Sequence, residues 1–273
     1  MSKYTQREAI TVSQILQAKA AGKKISCVTC YDAAFAKLIE ATQVDLVLVG
    51  DSLGNVVLGH DSTIPVTMDD MVHHTAAVAR VLRRPFICAD MPFLSYNLSV
   101  EQALSNAGRL VQVAGAQAVK VEGGAAIVPQ IKAMVQAGIP VMGHLGLTPQ
   151  SVHAMGGYRV QGRGGDAAKR IMDDALTLQE AGIFSLVLEM VPAELAGRIS
   201  AALKIPTIGI GAGPQCDGQI LVLHDLLGFD EEFKPKFLKK YANLGKIIKD
   251  AISAYDGDVK AGSFPAAEHS FKD

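Results

Sequence analysis

The sequence lacks a charge imbalance of either sign. Its 26 Lys and Arg residues face 27 Asp and Glu residues, so the formal net charge is -1 at pH 7. Nucleic-acid binding needs a basic face, and no segment supplies one; no acidic tail points to a basic partner either. The four lysines between Lys234 and Lys240 are interpreted as a solvated helix face. We therefore predict small-molecule partners and no nucleic acid.

The sequence also has few cysteines and no long apolar run. Four cysteines in 273 residues do not form the disulfide framework of a small secreted domain. Cys27 and Cys30 form a C-x-x-C pattern, but in a strand they would face opposite sides, so buried apolar positions are favoured over a redox pair. Residues 1–10 lack the apolar core of a secretory signal, and no stretch of about 18 apolar residues could cross a membrane. We expect a cytoplasmic protein without membrane association.

Short apolar segments alternate with longer segments of helical period along the chain. Continuous apolar strands are typical of a parallel sheet that is buried on both faces. The eight predicted strands are Ile25–Thr29, Leu46–Gly50, Phe86–Ala89, Ala118–Val121, Pro140–Gly143, Ser185–Leu188, Pro206–Ile210 and Ile220–Leu223. The predicted helices are Ala33–Ala41, Asp69–Leu82, Val100–Ala114, Ala126–Gln136, Ala167–Glu180, Pro192–Leu203 and Lys236–Ser253. After the seventh strand the helix is expected to be short or missing.

This alternation predicts an α/β fold, a closed (β/α)₈ TIM barrel, with a doubly wound open sheet as the alternative. Residues 11–20 are predicted to form an extra N-terminal helix that closes the bottom of the barrel. Because no linker interrupts the pattern, we expect a single domain over residues 1–273, with Asp256–Asp273 as a peripheral tail. The long connections 52–67 and 146–166 are predicted to have a lid or binding role.

Polar residues follow almost every predicted strand. Active sites of this fold lie at the carboxyl ends of the strands, so these residues are expected to share one mouth. They are Tyr31, Asp32, Asp51, Ser52, Asp90, Lys120, Glu122, His144, Glu189, His224 and Asp225, together with the glycine-rich Gly209–Gly213. That glycine segment resembles a phosphate cradle only weakly, and we interpret it as a tight loop that lets a ligand or a chain approach closely.

Two of these carboxylates, Asp51 and Asp90, end neighbouring apolar strands. Close buried carboxylates repel each other unless a cation or a shared proton is present. Oxygen ligands favour Mg²⁺ or Mn²⁺, and no His/Cys spacing supports zinc. Glu122 is a candidate third ligand, direct or through water. The alternative for Asp51 is a turn or helix cap.

Lys120 and Glu122 lie two residues apart on a strand, so they share a face. An internal ion pair, a contact from Lys120 to a substrate carboxylate, and a Schiff base on Lys120 are all compatible with this spacing. Glu189 follows an apolar strand and is a candidate general base, with a salt bridge to Arg198 or Lys204 as the alternative. His144 either positions a hydroxyl or is a satisfied polar residue at the rim.

Long motifs occur in order over most of the chain. They are Val49–Gly54, Gly59–Thr63, Ala89–Phe93, Val119–Gly124, Gly143–Gln150, Gly156–Gly162, Leu188–Pro192, Ile208–Gly213, Asp217–Gln219 and Glu268–Phe271. With these motifs the chain resembles the ketopantoate hydroxymethyltransferase family. Two departures are Cys30, where a small residue is expected, and Met190, where cysteine is common; neither affects a proposed role.

The resemblance implies a phosphoenolpyruvate-mutase-like barrel and a specific set of roles. It implies one Mg²⁺ at Asp51 and Asp90, with Glu122 nearby, and Glu189 as the catalytic base. The implied residues around the keto acid are Asp51, Ser52, Asp90, Lys120, Tyr31 and His144.

The implied reaction moves a hydroxymethyl group from 5,10-methylenetetrahydrofolate to 3-methyl-2-oxobutanoate, giving 2-dehydropantoate (ketopantoate) for pantothenate and coenzyme A synthesis. The resemblance also implies a homodecamer. The alternatives are a folate-independent, metal-dependent keto-acid aldolase or lyase on the same barrel, and a non-catalytic barrel that only supports an oligomer. The second predicts loss of the acidic residues, which are all present.

Overall fold

The computed structural model describes residues 9–272, and its central feature is a closed barrel of eight parallel strands in sequence order. The strands are β1 (Ile25–Thr29), β2 (Leu46–Val49), β3 (Phe86–Asp90), β4 (Ala118–Glu122), β5 (Val141–Gly146), β6 (Ser185–Glu189), β7 (Thr207–Ile210) and β8 (Gly218–Leu221). Closure is completed by the pairing of β1 with β8. The predicted barrel is therefore confirmed, and the open-sheet alternative is wrong.

The strands are apolar along their length because both faces are covered. Every residue of β2, β3, β4 and β5 is buried. One face fills the barrel interior and the other packs on the surrounding helices, as in other (β/α)₈ barrels. This explains why continuous apolar runs, rather than alternating ones, marked the strands in the sequence.

Helices follow most strands, and several begin at polar caps. Thr11 and Thr67 form capping boxes with Gln14 and Asp70, and Ser99 accepts a hydrogen bond from Gln102 N. The helices are α1 (Val12–Ala20), α2 (Ala33–Glu40), α3 (Leu53–Val56), α4 (Met68–Ala79), α5 (Val100–Gly108), α6 (Val128–Gln136), α7 (Gly165–Glu180), α8 (Ala193–Ala202), α9 (Leu223–Leu227) and α10 (Leu244–Ala261). The predicted helix 100–114 ends in a π-helical turn, Arg109–Val113. As expected, residues 211–217 form no helix between β7 and β8.

The amino end of the barrel is closed by α1. Its buried residue Ile15 belongs to an apolar cluster that includes Ile25, Phe86 and Phe184. The Phe86 and Phe184 rings meet edge to face, with centroids 5.6 Å apart. The predicted N-terminal helix at the bottom of the barrel is thus confirmed.

The last part of the chain differs most from the sequence-based expectation. A helix was predicted over Lys236–Ser253 and a tail from Asp256, but α10 begins at Leu244 and continues to Ala261. Pro235 and the surrounding lysines instead lie in a turn, in which Leu238 N donates to Pro235 O. The predicted strand Ile220–Leu223 also ends earlier, at Leu221.

The chain divides into two compact units, one ending at Val222 and one starting at Leu223. The first contains the whole barrel, and the second contains α9 and α10. The single domain over residues 1–273 remains a prediction. Within residues 9–272, no helix combines the length and apolar character needed to span a membrane.

Candidate active site

Five neighbouring strands, β2 to β6, bring charged side chains together at the carboxyl end of the barrel. Asp51 follows β2, and Asp90 and Glu189 are the last residues of β3 and β6. Strand register places Lys120 beside Asp90 and Glu122 beside His144. The five residues Asp51, Asp90, Lys120, Glu122 and His144 are only 2–5% exposed. The part of the expected mouth that β2 to β6 supply is therefore formed.

The two aspartates are joined through the backbone. Asp51 N donates to Asp90 Oδ2 at 3.0 Å. The preceding Gly50 makes room for this contact, because a Cβ there would lie 2.8 Å from Ser52 Oγ and 3.5 Å from Asp90 Oδ2. Burial, followed by the charges of Asp90 and Glu122, raises the pKa of Asp51 well above its ordinary value. Asp51 is not a helix cap: its Oδ2 accepts from Gln150 Nε2 at 2.8 Å.

Lys120 is the cation at the centre of the acidic cluster. Its Nζ lies 3.0 Å from Asp90 Oδ1, 3.5 Å from Glu122 Oε1 and 3.2 Å from His144 Nδ1. Burial acts to lower the pKa of Lys120, but the carboxylates of Asp90, Glu122 and Asp51 outweigh it and raise the pKa. The lysine is held protonated. This supports the ion-pair interpretation and opposes a Schiff base, which requires a neutral amine.

His144 lies between two carboxylates. Its Nδ1 is 3.2 Å from Glu122 Oε1, and its Nε2 is 3.3 Å from Glu189 Oε2. Burial and Lys120 act to lower the pKa of His144, but the Glu122 charge and hydrogen bonds to Glu122 and Glu189 raise it to about 9. His144 therefore lies buried between the two glutamates and links them, rather than lying at the rim.

Glu189 is the most open member of the cluster, with its side chain 17% exposed. No ion pair joins it to Arg198 or Lys204 in the part of the chain that the structure describes, so that alternative is not formed; the neighbour of its carboxylate is His144. The backbone carbonyl of Glu189 packs closely against Gly146, at the end of β5. A Cβ on Gly146 would lie 2.2 Å from Glu189 O, so only glycine allows this contact. This contact fixes the end of β6 against β5.

Tyr31 and Ser52 form a hydroxyl pair beside the acidic cluster. Tyr31 Oη lies 2.9 Å from Ser52 Oγ, and the Tyr31 side chain is 1% exposed. Ser52 precedes α3 but makes no capping hydrogen bond there, so its hydroxyl is directed to Tyr31. His74 contacts the Tyr31 carbonyl through Nδ1 at 2.6 Å. Asp32, in contrast, caps α2 through Phe35 N and is not part of the site.

The loop after β5 approaches the mouth. Gln161 N donates to Met190 O, which anchors the loop next to Glu189. Partial burial, and then the charges of Glu189 and Asp51, raise the pKa of the Tyr158 hydroxyl, although Tyr158 is 55% exposed. The predicted binding segment 146–166 thus reaches the site, while segment 52–67 folds back on α3, where Gly54 packs beside Val66.

The donor set fits a hard divalent cation. Three buried carboxylates, Asp51, Asp90 and Glu122, lie together. The basic groups beside them are one lysine, Lys120, and one histidine, His144. Asp90 Oδ1 is buried and has no hydrogen bond of normal geometry, although Lys120 lies nearby. Among residues 9–272 no group of three or more His, Cys, Asp or Glu side chains is placed to hold a metal. Two carboxylates and water complete a magnesium site, whereas zinc normally requires more protein ligands.

Two residues of this network were not identified as functional from the sequence. Gln150 bonds Asp51 through its side chain and Glu122 Oε2 through its backbone N, at 2.8 and 3.0 Å. Tyr96 Oη lies 2.8 Å from Gln150 Oε1. Gln150 ends one of the long motifs, which was its only signal. Tyr96 lies in an irregular segment without periodicity.

Three other sequence candidates are structural. Cys27 and Cys30 are buried, free thiols, and burial raises the pKa of Cys30 to about 11, so no redox pair forms. In the glycine segment after β7, a Cβ on Gly213 would lie 2.4 Å from Ala193 Cβ, so the close approach is made by the chain itself. His224 and Asp225 are part of α9 in the second unit and do not end a strand.

A closed (β/α)₈ barrel with a buried acidic centre at its carboxyl mouth defines an enzyme that acts on small molecules. Comparison with known proteins specifies which one: a model of the family described as ketopantoate hydroxymethyltransferase matches residues 9–267. The chain belongs to this family and is a hydroxymethyltransferase.

Similar proteins agree over the full length. The chain is 56% identical to 3-methyl-2-oxobutanoate hydroxymethyltransferase of Moorella thermoacetica over 98% of this chain and 99% of that protein. It is also 56% identical to the enzyme of the same name from Syntrophus aciditrophicus, over 99% and 100% of the two chains.

Solved structures confirm the type of barrel. Phosphonopyruvate hydrolase in complex with oxalate and Mg²⁺ superposes with a TM-score of 0.62 at 12% identity, over 95% of this chain and 93% of that chain. A 2,3-dimethylmalate lyase of the PEP mutase/isocitrate lyase superfamily gives 0.61 at 14% identity, over 95% and 88%. The phosphoenolpyruvate-mutase-like fold is therefore as expected.

Proposed function

We propose that the chain transfers a hydroxymethyl group from 5,10-methylenetetrahydrofolate to 3-methyl-2-oxobutanoate, giving ketopantoate for pantothenate synthesis. The observation that carries this proposal is the Asp51–Asp90–Lys120–His144–Glu189 cluster at the mouth of the barrel. It combines acidic cation ligands, a fixed positive charge and one partly exposed carboxylate, as enolate chemistry on a keto acid requires. The names of the full-length relatives support the choice of substrate.

Asp51 and Asp90 are the proposed ligands of one Mg²⁺, with Glu122 contributing through water. Both oxygens of Glu122 already have partners: Oε1 faces His144 and Lys120, and Oε2 accepts from Gln150 N. When bound, the cation supplies positive charge next to the keto oxygen, where negative charge develops as C3 loses its proton.

The protein's own residues divide the remaining tasks. Lys120 is held protonated and offers a positive charge to the substrate carboxylate, and the Tyr31–Ser52 pair offers hydroxyl groups beside it. Because His144 holds Glu189 at 3.3 Å, the carboxylate is oriented toward the mouth. Glu189 then accepts the C3 proton.

The carbon–carbon bond forms between C3 and the methylene carbon of the folate. Both bonds from that carbon to folate nitrogens break, and water provides the hydroxyl group. The two freed nitrogens take up two protons, the one that left C3 and one from the water. The loop after β5, which Gln161 anchors beside Glu189, and Tyr158 within it are proposed to limit the entry of water to the enolate.

The first test is proton exchange at C3 of 3-methyl-2-oxobutanoate in D₂O, followed by NMR without folate. We expect loss of the C3 proton signal that requires both Mg²⁺ and Glu189. The Glu189→Gln variant should exchange at least 100-fold more slowly, since a positioned base contributes about 10²–10⁴-fold. Glu180→Gln, an exposed glutamate on α7, is the matched control.

Addition of the folate should then convert the substrate to ketopantoate. Exchange without any folate-dependent product would instead favour the metal-dependent aldolase or lyase alternative. Absence of exchange both with and without folate, in the presence of Mg²⁺, would contradict the proposal.

The assembly and location expected from the resemblance are part of the same proposal: a homodecamer in the cytoplasm. A native mass ten times that of the 28.8 kDa chain, measured by light scattering, is the expected result. A monomeric mass at micromolar concentration would contradict the oligomer.

A further inference from the structure

The carboxylates Asp51 and Glu122 come from different strands but are held by a single residue, Gln150. Gln150 lies in a short 3₁₀ turn, Pro149–Ser151, after β5, and it is 5% exposed. Its side chain reaches Asp51, and its backbone reaches Glu122. A buried glutamine with all its polar groups engaged is a costly feature to place in a core unless it fixes a geometry.

The orientation of the Gln150 amide is determined by its partners. Nε2 lies 2.8 Å from Asp51 Oδ2 and 2.9 Å from the Met91 carbonyl oxygen. Both partners are acceptors, so the atom that faces them must be the NH₂ group. A flipped amide would place its carbonyl oxygen against two other oxygens.

Tyr96 supports the opposite side of the same amide. Its single hydroxyl proton lies between two acceptors, Gln150 Oε1 at 2.8 Å and Glu122 O at 3.0 Å, and its oxygen accepts from Glu122 N at 3.0 Å. Tyr96 is 1% exposed, so this hydroxyl has no access to bulk water. Tyr96 therefore fixes both the acceptor side of Gln150 and the backbone at the end of β4.

As a consequence, one oxygen atom of each carboxylate, Asp51 and Glu122, is occupied by Gln150 and the other stays available. Because Gln150 donates to Asp51 Oδ2 and to Glu122 Oε2, Asp51 is left with Oδ1 for a cation, and Glu122 with Oε1 for Lys120 and His144. We infer that Gln150, oriented by Tyr96, is a positioning residue that orients Asp51 and Glu122 for the divalent cation. This inference rests on the metal site of the proposed function.

The test is direct binding of Mn²⁺ to the metal-free protein, read from the electron paramagnetic resonance signal of the free ion. Gln150→Met keeps the length of the side chain but removes the donor to Asp51. We expect its Kd for Mn²⁺ to be about 10–100-fold higher than that of the unmodified protein, the usual effect of removing a residue that orients metal ligands. Gln130→Met is the matched control, since Gln130 is also a buried glutamine but lies in α6.

Tyr96→Phe removes only one oxygen atom and provides a second, milder variant. We expect it to raise the Kd for Mn²⁺ by less than Gln150→Met. Because both residues act through one amide, the double variant should bind Mn²⁺ about as weakly as Gln150→Met alone. Thermal unfolding without metal separates this effect from a structural one, which would lower the melting temperature and leave the Kd unchanged.

The outcomes distinguish this inference from the proposed function. If the unmodified protein binds Mn²⁺ and both Gln150→Met and Tyr96→Phe bind it equally well, the positioning role is wrong and the metal site stands. If the unmodified protein binds no Mn²⁺, the metal site of the proposed function is wrong, and the role of Gln150 falls with it.

Discussion

The two ends of the barrel are both closed by buried side chains, yet they are built from opposite chemistry. At the amino end, Ile15, Phe86 and Phe184 exclude water with apolar surface. At the carboxyl end, Asp90 and Lys120 are just as deeply buried but are charged. Burial stabilises the first group and penalises the second, unless ion pairs compensate. The amino end therefore stabilises the fold, whereas the buried charges at the carboxyl end lower its stability.

The largest expected effect is on catalysis at the carboxyl end. Glu189→Gln should lower kcat by about 10²–10⁴-fold, because the amide cannot accept the C3 proton. Its free energy of unfolding should change little, since Glu189 is partly exposed. Steady-state kinetics and urea unfolding measure the two quantities. If Glu189→Gln instead lost stability and kept its kcat, Glu189 would have a structural role and not a catalytic one.

The amino end should give the opposite result. Phe86→Ala removes a fully buried ring and should lower the free energy of unfolding by about 3–5 kcal/mol. The kcat of the folded fraction should stay within a few-fold of normal, because the ring lies at the far end of its strand from Asp90. Phe271→Ala, at a fully exposed phenylalanine, is the control and should leave stability unchanged.

Removing one charge at the mouth should stabilise the metal-free protein. Asp51→Asn reduces the repulsion among three buried carboxylates and should raise the free energy of unfolding by about 1–3 kcal/mol in the presence of a chelator. It should also weaken Mg²⁺ binding and activity strongly. Chemical denaturation of both proteins measures the gain, with Asp61→Asn, an exposed aspartate, as control. A loss of stability would mean that the ion pairs already balance the charges.

The smallest expected effect on the free energy of unfolding is at Asp225, a partly buried carboxylate in the second unit. Burial, and then the charge of Asp230, raise the pKa of Asp225 to about 6. Well below its ordinary pKa of 3.8 the carboxyl is protonated in both the folded and the unfolded chain, so no penalty exists; the penalty grows as the pH rises and is complete above 6.

Asp225→Asn should therefore stabilise less at pH 4 than at pH 7, where the gain should be no more than about 1 kcal/mol because the side chain is partly exposed. Thermal unfolding at the two pH values tests this. An equal gain at both values would show that charge is not the cause.

The sequence predicted the barrel well because its signals are local. Leu46–Val49 and Ser185–Leu188 are continuous apolar runs, and only a strand buried on both faces explains such runs in a chain of alternating elements. The same reasoning failed for the last helix. The lysines near Pro235 suggested a solvated helix face, but a turn forms there instead, in which Leu238 N donates to Pro235 O.

The site was predicted residue by residue, but its connections were not. Asp51, Asp90 and Glu189 were expected at strand ends because the fold assigns function to that position. The spacing of His144 gave no sign that it would bridge Glu122 and Glu189, because that contact joins three strands. Gln150 was missed for the same reason.

The sequence by itself determined the order of strands and helices, the N-terminal helix and the set of polar residues that end the strands. These features follow from hydrophobic period and from caps, which act over a few residues. The tertiary structure alone decided which charges meet, which oxygen of each carboxylate is engaged, and the raised pKa of His144. Those properties depend on distances of about 3 Å between strands that are far apart in the chain, and on burial, which exists only once the barrel has closed.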